Sequence, residues 1–278
     1  MKLGTVGGLI TVAPDADPNI GRIDRAVQLG LSVISIGFRE NSDPDYAKRV
    51  GEHAAKKGIE LRSGSGGTFG SANPDERKAA IERNVENCEL LSKHAGIKFC
   101  SLANGPMTHN RWSPEPPMNE RIDIIAESLA TLADAVRPMG MVLGLENHCD
   151  YRGWECAAML EKANRPNLKA QIDTGNAFTV FEEPVDCAKA MAKWVVSVHL
   201  KDIKVSPLLQ GKSVAETVPL GMGMVDNVTI VQILSEQAPD PRNIALLQEP
   251  LAMPAEWERD AFLNVSTEWC RKALAKYL

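Results

Sequence analysis

Four stretches of the sequence each end on a residue able to hold a cation or move a proton. They are Glu146 in Leu143-Gly144-Leu145-Glu146, Asp173 in Gln171-Ile172-Asp173, His199 in Ser197-Val198-His199 and Glu249 in Leu246-Leu247-Gln248-Glu249. Taken singly, an acid after an apolar run is usually a helix cap or loop residue, and a histidine there is usually a hydrogen-bonded core residue. Three acids gathered at one place are different. Their mutual repulsion, added to burial, would force protonation unless a cation sits among them. Three carboxylates and one imidazole suit Mn2+, Mg2+ or Co2+ better than a thiolate-seeking metal, and no cysteine is needed.

The elements that would bring these residues together can be read from periodicity. Short apolar runs rich in β-branched residues occur near Leu3–Val6, Val33–Gly37, Ile59–Ser63, Lys98–Leu102, Met141–Glu146, Leu168–Asp173, Val195–Leu200 and Ile244–Glu249. Continuous runs such as Val195-Val196-Ser197-Val198 suit parallel strands buried on both faces. Helical periodicity separates them, near 20–29, 153–163, 184–192, 227–236 and 255–275, and in three further stretches. Asp43-Pro44 opens one of these and Gly58 closes it; Asn73-Pro74-Asp75-Glu76 opens the next. Ile122, Ile125, Ala126, Leu129, Leu132, Ala133 and Val136 form one apolar stripe.

Eight strands alternating with eight helices predict an α/β fold, a single (β/α)8 TIM barrel occupying residues 1–278 as one domain. An open doubly wound sheet is the alternative. Its usual glycine-rich dinucleotide turn is absent, since Thr5-Val6-Gly7-Gly8-Leu9 follows the first strand. The four candidate ligands then end the fifth to eighth strands, on the rim where barrel enzymes keep their active sites. Two long loops follow strands on that rim, Ala103–Pro117 and Lys201–Asp226.

Composition narrows the functional classes. The 278 residues carry a net charge of -5, with 44% hydrophobic and 24% charged residues. Such a chain offers no field to attract nucleic acid or an anionic membrane. Basic residues such as Lys56-Lys57 and Arg271-Lys272 read as solvated helix faces. No signal peptide or bilayer-spanning run is apparent. The six cysteines show no C-x-x-C spacing and suit a reducing, cytoplasmic compartment. His148-Cys149 raises a thiol catalyst as an option, against a packed cysteine beside a polar neighbour.

At motif level, G-L-E-N-H (144–148), D-T-G-N (173–176), V-H-L-K-D (198–202), P-L-G-M-G-M-V-D (219–226) and Q-E-P (248–250) resemble the xylose-isomerase-like sugar isomerase/epimerase superfamily, across the whole chain. That superfamily includes ketose 3-epimerases, inosose dehydratase and hydroxypyruvate isomerase. The resemblance implies one divalent metal held at Glu146, Asp173, His199 and Glu249, with Glu146 and Glu249 also exchanging protons with the substrate. The implied reaction is proton abstraction beside a carbonyl, through an enediolate, on a small sugar or polyol. A keto-sugar or keto-inositol dehydratase and a non-catalytic sugar-binding barrel are the alternatives.

His148, Lys201, Asp202, Asn104, His109 and Asn176 are the expected substrate-facing residues; Lys201 and Asp202 also read as a salt bridge or as support for His199. Gly221 and Gly223 read either as an anion cradle or as a turn, with Asp226 capping the next helix. Arg152 and Trp154 are candidates to roof a sugar ring. The chain departs from ketose 3-epimerases in having Asn176 where they usually carry histidine, Ile203-Lys204 where they show an arginine, and Met222 where many relatives have glutamate. The repair endonuclease branch of the superfamily uses three metals and many more histidines than the five here. Exposed barrel helices often support homodimers or homotetramers.

Overall fold

The computed structural model describes residues 1–38, 43–104, 111–209, 212–250 and 252–278. The chain alternates strand and helix: β1 (Lys2–Val6), α1 (Pro18–Gln28), β2 (Val33–Ser35), α2 (Pro44–Lys57), β3 (Glu60–Gly66), α3 (Pro74–Lys93), β4 (Phe99–Ala103), α4 (Met118–Val136), β5 (Val142–Glu146), α5 (Gly153–Ala163), β6 (Leu168–Asp173), α6 (Pro184–Met191) and β7 (Val195–Leu200). Then come β8 (Asp202–Leu209), β9 (Lys212–Val218), α7 (Asn227–Gln237), β10 (Ala245–Gln248) and α8 (Arg259–Ala273). Eight strands close into a parallel barrel in the order β1-β10-β7-β6-β5-β4-β3-β2. The expected (β/α)8 barrel is therefore observed.

One element departs from expectation. Lys201–Asp226, read from sequence as a long loop, contains the antiparallel hairpin β8–β9, which pairs Asp202 with Val218 and ends near Leu209 and Lys212. The eighth barrel strand is consequently β10. The hairpin stands outside the barrel, so its two strands carry no parallel-strand signature.

Local chemistry explains where the helices start and stop. The Asp17 carboxylate accepts from the Asn19 and Ile20 amides at the head of α1. Asp43 and Asn73 do the same for the amides of Asp45 and Asp75, each followed by proline at the first helical position. Gly58 ends α2 at φ 70°, in the left-handed region. On α4 all seven apolar stripe residues from Ile122 to Val136 are buried. They belong to a hydrophobic cluster shared with the outward-facing residues of the barrel strands.

Inside the barrel, alternate residues along each strand point to the axis. At the N-terminal end the Arg62 guanidinium lies over the Phe99 ring, 4.6 Å from its centroid, and donates to the Val196 carbonyl. Gly144 is required beside it, because a Cβ there would come within 2.6 Å of Phe99 Cζ. A cavity of about 620 Å³ lies at this end, lined in part by Leu61, Phe99 and Val142, and it does not include the acidic cluster. Two residues on from Gly144, the same alternation presents Glu146 at the other end. Gln171 and Asp173, and Ser197 and His199, follow the same parity.

Candidate metal centre

Strand register brings the four predicted residues together. Asp173 pairs with His199, and His199 with Leu247, two residues before Glu249. The Glu249 amide continues the ladder beyond β10 by donating to the Leu200 carbonyl at 3.0 Å. In the barrel β5 and β10 flank β6 and β7, so Glu146 and Glu249 stand on either side of Asp173 and His199. One candidate ligand atom from each of the four residues lies within 4.8 Å of the others.

This geometry fits an ion. Ligand atoms about 2.1 Å from a common centre are separated by at most about 4.2 Å, so the observed spread closes with side-chain shifts of tenths of an ångström. The donor set of oxygens and one nitrogen matches a hard divalent cation. Asp173 Oδ2 is buried and accepts no hydrogen bond of good geometry, although Lys201 Nζ approaches it to 2.6 Å as an ion pair. The four residues thus form a cluster that could hold a metal ion.

The shell around the cluster is built from amides. Asn147 and Asp173 tie β5 to β6 reciprocally: the Asp173 amide donates to Asn147 Oδ1 at 2.7 Å, and Asn147 Nδ2 donates to the Asp173 carbonyl at 2.9 Å. The Gly175 and Asn176 amides both donate to Asp173 Oδ1. Gln171 Nε2 donates to Glu146 Oε2 at 2.8 Å and lies 3.2 Å from His199 Nε2. Asn147 and Gln171 were not singled out from sequence. Gln171 is two residues before Asp173, so strand parity could have pointed to it.

Electrostatics follow from burial and proximity. Burial pushes the Asp173 carboxyl up to about 7, against the downward pull of Lys201. Burial also acts on His199, pulling its imidazole down, but Glu249 and Glu146 outweigh it and hold the ring well above its ordinary value. Nδ1 of His199 lies 2.8 Å from Glu249 Oε2 and 3.4 Å from Glu146 Oε1. For Glu146 and Glu249 burial is the largest single influence and acts upward, yet the neighbouring cation His199 brings both below their ordinary value. A bare cluster therefore shares protons and the Lys201 charge among its carboxylates.

The remaining predicted residues divide. Lys201 is buried in the cluster, 3.1 Å from Glu249 Oε2 and donating to Asn176 Oδ1 at 3.2 Å. Asn176 is thus the partner of Lys201 as well as an amide donor to Asp173. Asn104 is buried beyond β4 with neither amide atom partnered among the described residues. His148 is exposed and exerts a weak downward influence on Glu146. His109 lies outside the described residues.

Asp202 has a different setting from the substrate-facing one expected. Its carboxylate accepts from the amides of Ile203, Gly221, Gly223 and Val225 at 2.8–3.1 Å. A Cβ on Gly223 would fall 2.1 Å from Asp202 Oδ1, and Gly221 adopts φ 87°. The two glycines therefore wrap the turn around Asp202, and Asp226 caps α7 through the Thr229 amide. Trp154 is 51% exposed, and Arg152 Nε donates to the Val180 carbonyl. Cys149 is half-buried and its thiol is pushed up by burial, the opposite of an activated thiolate.

Above the cluster opens a cleft of about 1170 Å³ whose wall includes His199 and Glu249. Residues 23–257 match the family model described as the xylose isomerase-like TIM barrel. The chain belongs to that family. An L-ribulose 3-epimerase structure superposes with a TM-score of 0.80, at 14% identity over 99% of this chain and 95% of the other. The apo form of the Escherichia coli 3-keto-D-glucoside 4-epimerase YcjR gives 0.72, at 15% identity, covering 98% of this chain and 99% of that one. At such identities these likenesses speak for the shared barrel. The Escherichia coli (strain K12) protein YihM, described as uncharacterized, is 21% identical over 160 residues, which is 52% of this chain. The chain spans about half, 48%, of the length of that curated relative. Among the described residues no helix is long and apolar enough to cross a membrane.

Proposed function

We propose that the chain is a divalent-metal-dependent sugar epimerase or isomerase, with residues 1–278 forming one catalytic barrel that takes a small ketose or keto-sugar. The observation that carries this reading is the placing of two glutamates, Glu146 and Glu249, on opposite flanks of a cluster fit for one cation. The 3-epimerase and 4-epimerase names of structures sharing the barrel agree with it.

When bound, Mn2+, Mg2+ or Co2+ supplies Lewis-acid stabilisation of negative charge on substrate oxygens. The chain's own residues do the rest. One glutamate takes the proton from the carbon beside the carbonyl, and the other delivers a proton to the opposite face, which inverts the centre. Gln171 donates to Oε2 of Glu146 and so fixes the orientation of its carboxylate. Against burial, His199 first, and the Lys201 ammonium 3.1 Å from Glu249 Oε2, hold the Glu249 carboxyl below its ordinary value. Asp173 and His199 are assigned to holding the ion, and Asn176, Asn104 and His148 to the substrate's hydroxyls.

The test is a panel of ketoses incubated in D2O with Mn2+. Deuterium at an inverted carbon, with no loss of water, supports the proposal. Elimination of water would instead identify a dehydratase, and absence of any exchange across the panel with metal-loaded protein would count against both.

A further inference from the structure

We propose that the substrate of this site carries an anionic oxygen-rich group, a phosphate ester or a carboxylate, at the end remote from the reacting carbon. This deepens the proposed function and rests on that reading for the reacting end alone. The metal candidates occupy the β5, β6, β7 and β10 side of the rim. The same cleft extends across to the β1–β3 side, where its wall includes three arginines: Arg22 on α1, Arg83 on α3 and Arg259 at the start of α8.

Three observations bear on what these arginines meet. First, none has a carboxylate partner among the described residues; Arg49, Arg77 and Arg242 elsewhere also lack one, so what sets these three apart is their place on one cleft wall. Asp260, next to Arg259 in sequence, is the acid taken by Arg25. Second, Nε of Arg22 is buried without a hydrogen-bond partner, although its Nη1 donates to Asn19 Oδ1 at 3.2 Å. A buried guanidinium N–H left unpaired is a directed donor awaiting an acceptor. Third, Glu249 is the only acid in the lining described for this cleft, so that lining carries three arginines against one acid in a chain whose net charge is -5.

Space agrees with charge. The cleft, about 1170 Å³, is larger than the roughly 300–1,000 Å³ usual for a pocket that encloses a small ligand. Its far side includes the small residues Gly7, Gly8, Ser35 and Ser65 alongside Phe38 and Tyr46. Arginine is also the side chain whose planar fork best matches carboxylate and phosphate oxygens.

Binding of unreactive probes tests this independently of turnover. Sorbitol, sorbitol 6-phosphate and gluconate contain no ketone and cannot be epimerised. Calorimetric titration of each into metal-loaded and chelator-treated protein should show at least one anionic probe binding ~10-fold or more tightly than sorbitol, the size of one good charge-assisted contact. Arg22→Gln should remove most of that advantage and leave sorbitol binding intact; the exposed variants Arg83→Gln and Arg259→Gln provide the same test on other helices. A preference for the phosphate over gluconate identifies a phosphate ester, and the reverse a carboxylate. Equal affinity for all three probes, no measurable binding of either anion at millimolar concentration, or an anion advantage that survives all three variants would overturn the inference. A failure of deuterium exchange in a ketose panel extended to ketose phosphates and keto-acids, with the anion preference intact, would instead count against the epimerase reading.

Discussion

At the scale of single residues, the decisive quantity is where protons sit before a cation arrives. Between about pH 3.8, the ordinary value, and about 7, folded metal-free protein keeps a proton on Asp173 that the unfolded chain releases. Stability therefore falls as pH rises through that window. His199 acts in the same direction at higher pH. Its contribution is complete below its ordinary value of 6.5 and is lost as pH rises through its raised folded value. Glu146 and Glu249, both lowered, contribute above their ordinary 4.5 and lose that contribution only as pH falls toward their folded values. Chelator-treated protein should accordingly melt at lower temperature at about pH 8 than at about pH 5. Added Mn2+ should reverse the trend, because metal binding expels the His199 proton and strengthens with pH. Parallel melting curves with and without metal, measured by calorimetry across that range, would refute this picture. Glu146→Gln and Glu249→Gln should each cut turnover on the order of 10²-fold or more, as expected for loss of a general acid or base. Steady-state rates at saturating metal check this, and near-wild-type kcat in either variant would remove the two-base assignment.

At the scale of elements, the barrel strands were the most legible part of the sequence, for a physical reason. Strands covered by helices outside and by neighbours inside must be apolar throughout, as Val195–Leu200 is. Capping signals at Asp43 and Asn73 were equally plain, because the cap and its amides are two residues apart. The hairpin β8–β9 left no such trace. Its first strand contains Pro207, which reads as a break, yet a two-stranded hairpin has two free edges that can tolerate proline. The setting of Asp202 was hidden for a related reason: Gly221, Gly223 and Val225, whose amides it receives, lie 19 to 23 residues away. Asp202→Ala would orphan those amides. Hydrogen exchange should show protection lost at Gly221, Gly223 and Val225 while β6 amides such as Asp173 remain protected; unchanged protection would dismiss the anchoring role. On α4, Leu129 is fully buried, so Leu129→Ala should cost about 2–5 kcal/mol. Urea denaturation checks it, and a loss under about 1 kcal/mol would mean that the stripe packs less tightly than its burial implies.

At the scale of the whole molecule, the gathering of the four cluster residues was legible because they are the ends of strands. The arginines on the cleft's opposite wall were not, because they stand on helices far apart in sequence. Arg22, Arg83 and Arg259 belong to α1, α3 and α8, and basic residues on helices read from sequence as solvated faces. A ligand that binds only the folded chain stabilises it by mass action, about 2.7 kcal/mol at 100 times its dissociation constant. Saturating Mn2+ should therefore raise the melting temperature by several degrees. His199→Ala should abolish most of that rise and lower bound metal in elemental analysis; an undiminished metal content would exclude His199 as a ligand.

The reciprocal bonds between Asn147 and Asp173 have a consequence for biosynthesis. They join β5 to β6 with backbone and amide groups alone, and the Gln171 side-chain amide donates to the Glu146 carboxylate. The scaffold of the site can thus be completed on the ribosome's product before any cation is met, unlike a zinc finger, which folds only around its ion. On the proposed function, selection of the metal then falls to a finished protein exposed to whatever ions surround it. Across the divalent series intrinsic affinity favours the later transition metals, so the ion recovered with the purified protein should follow the growth medium.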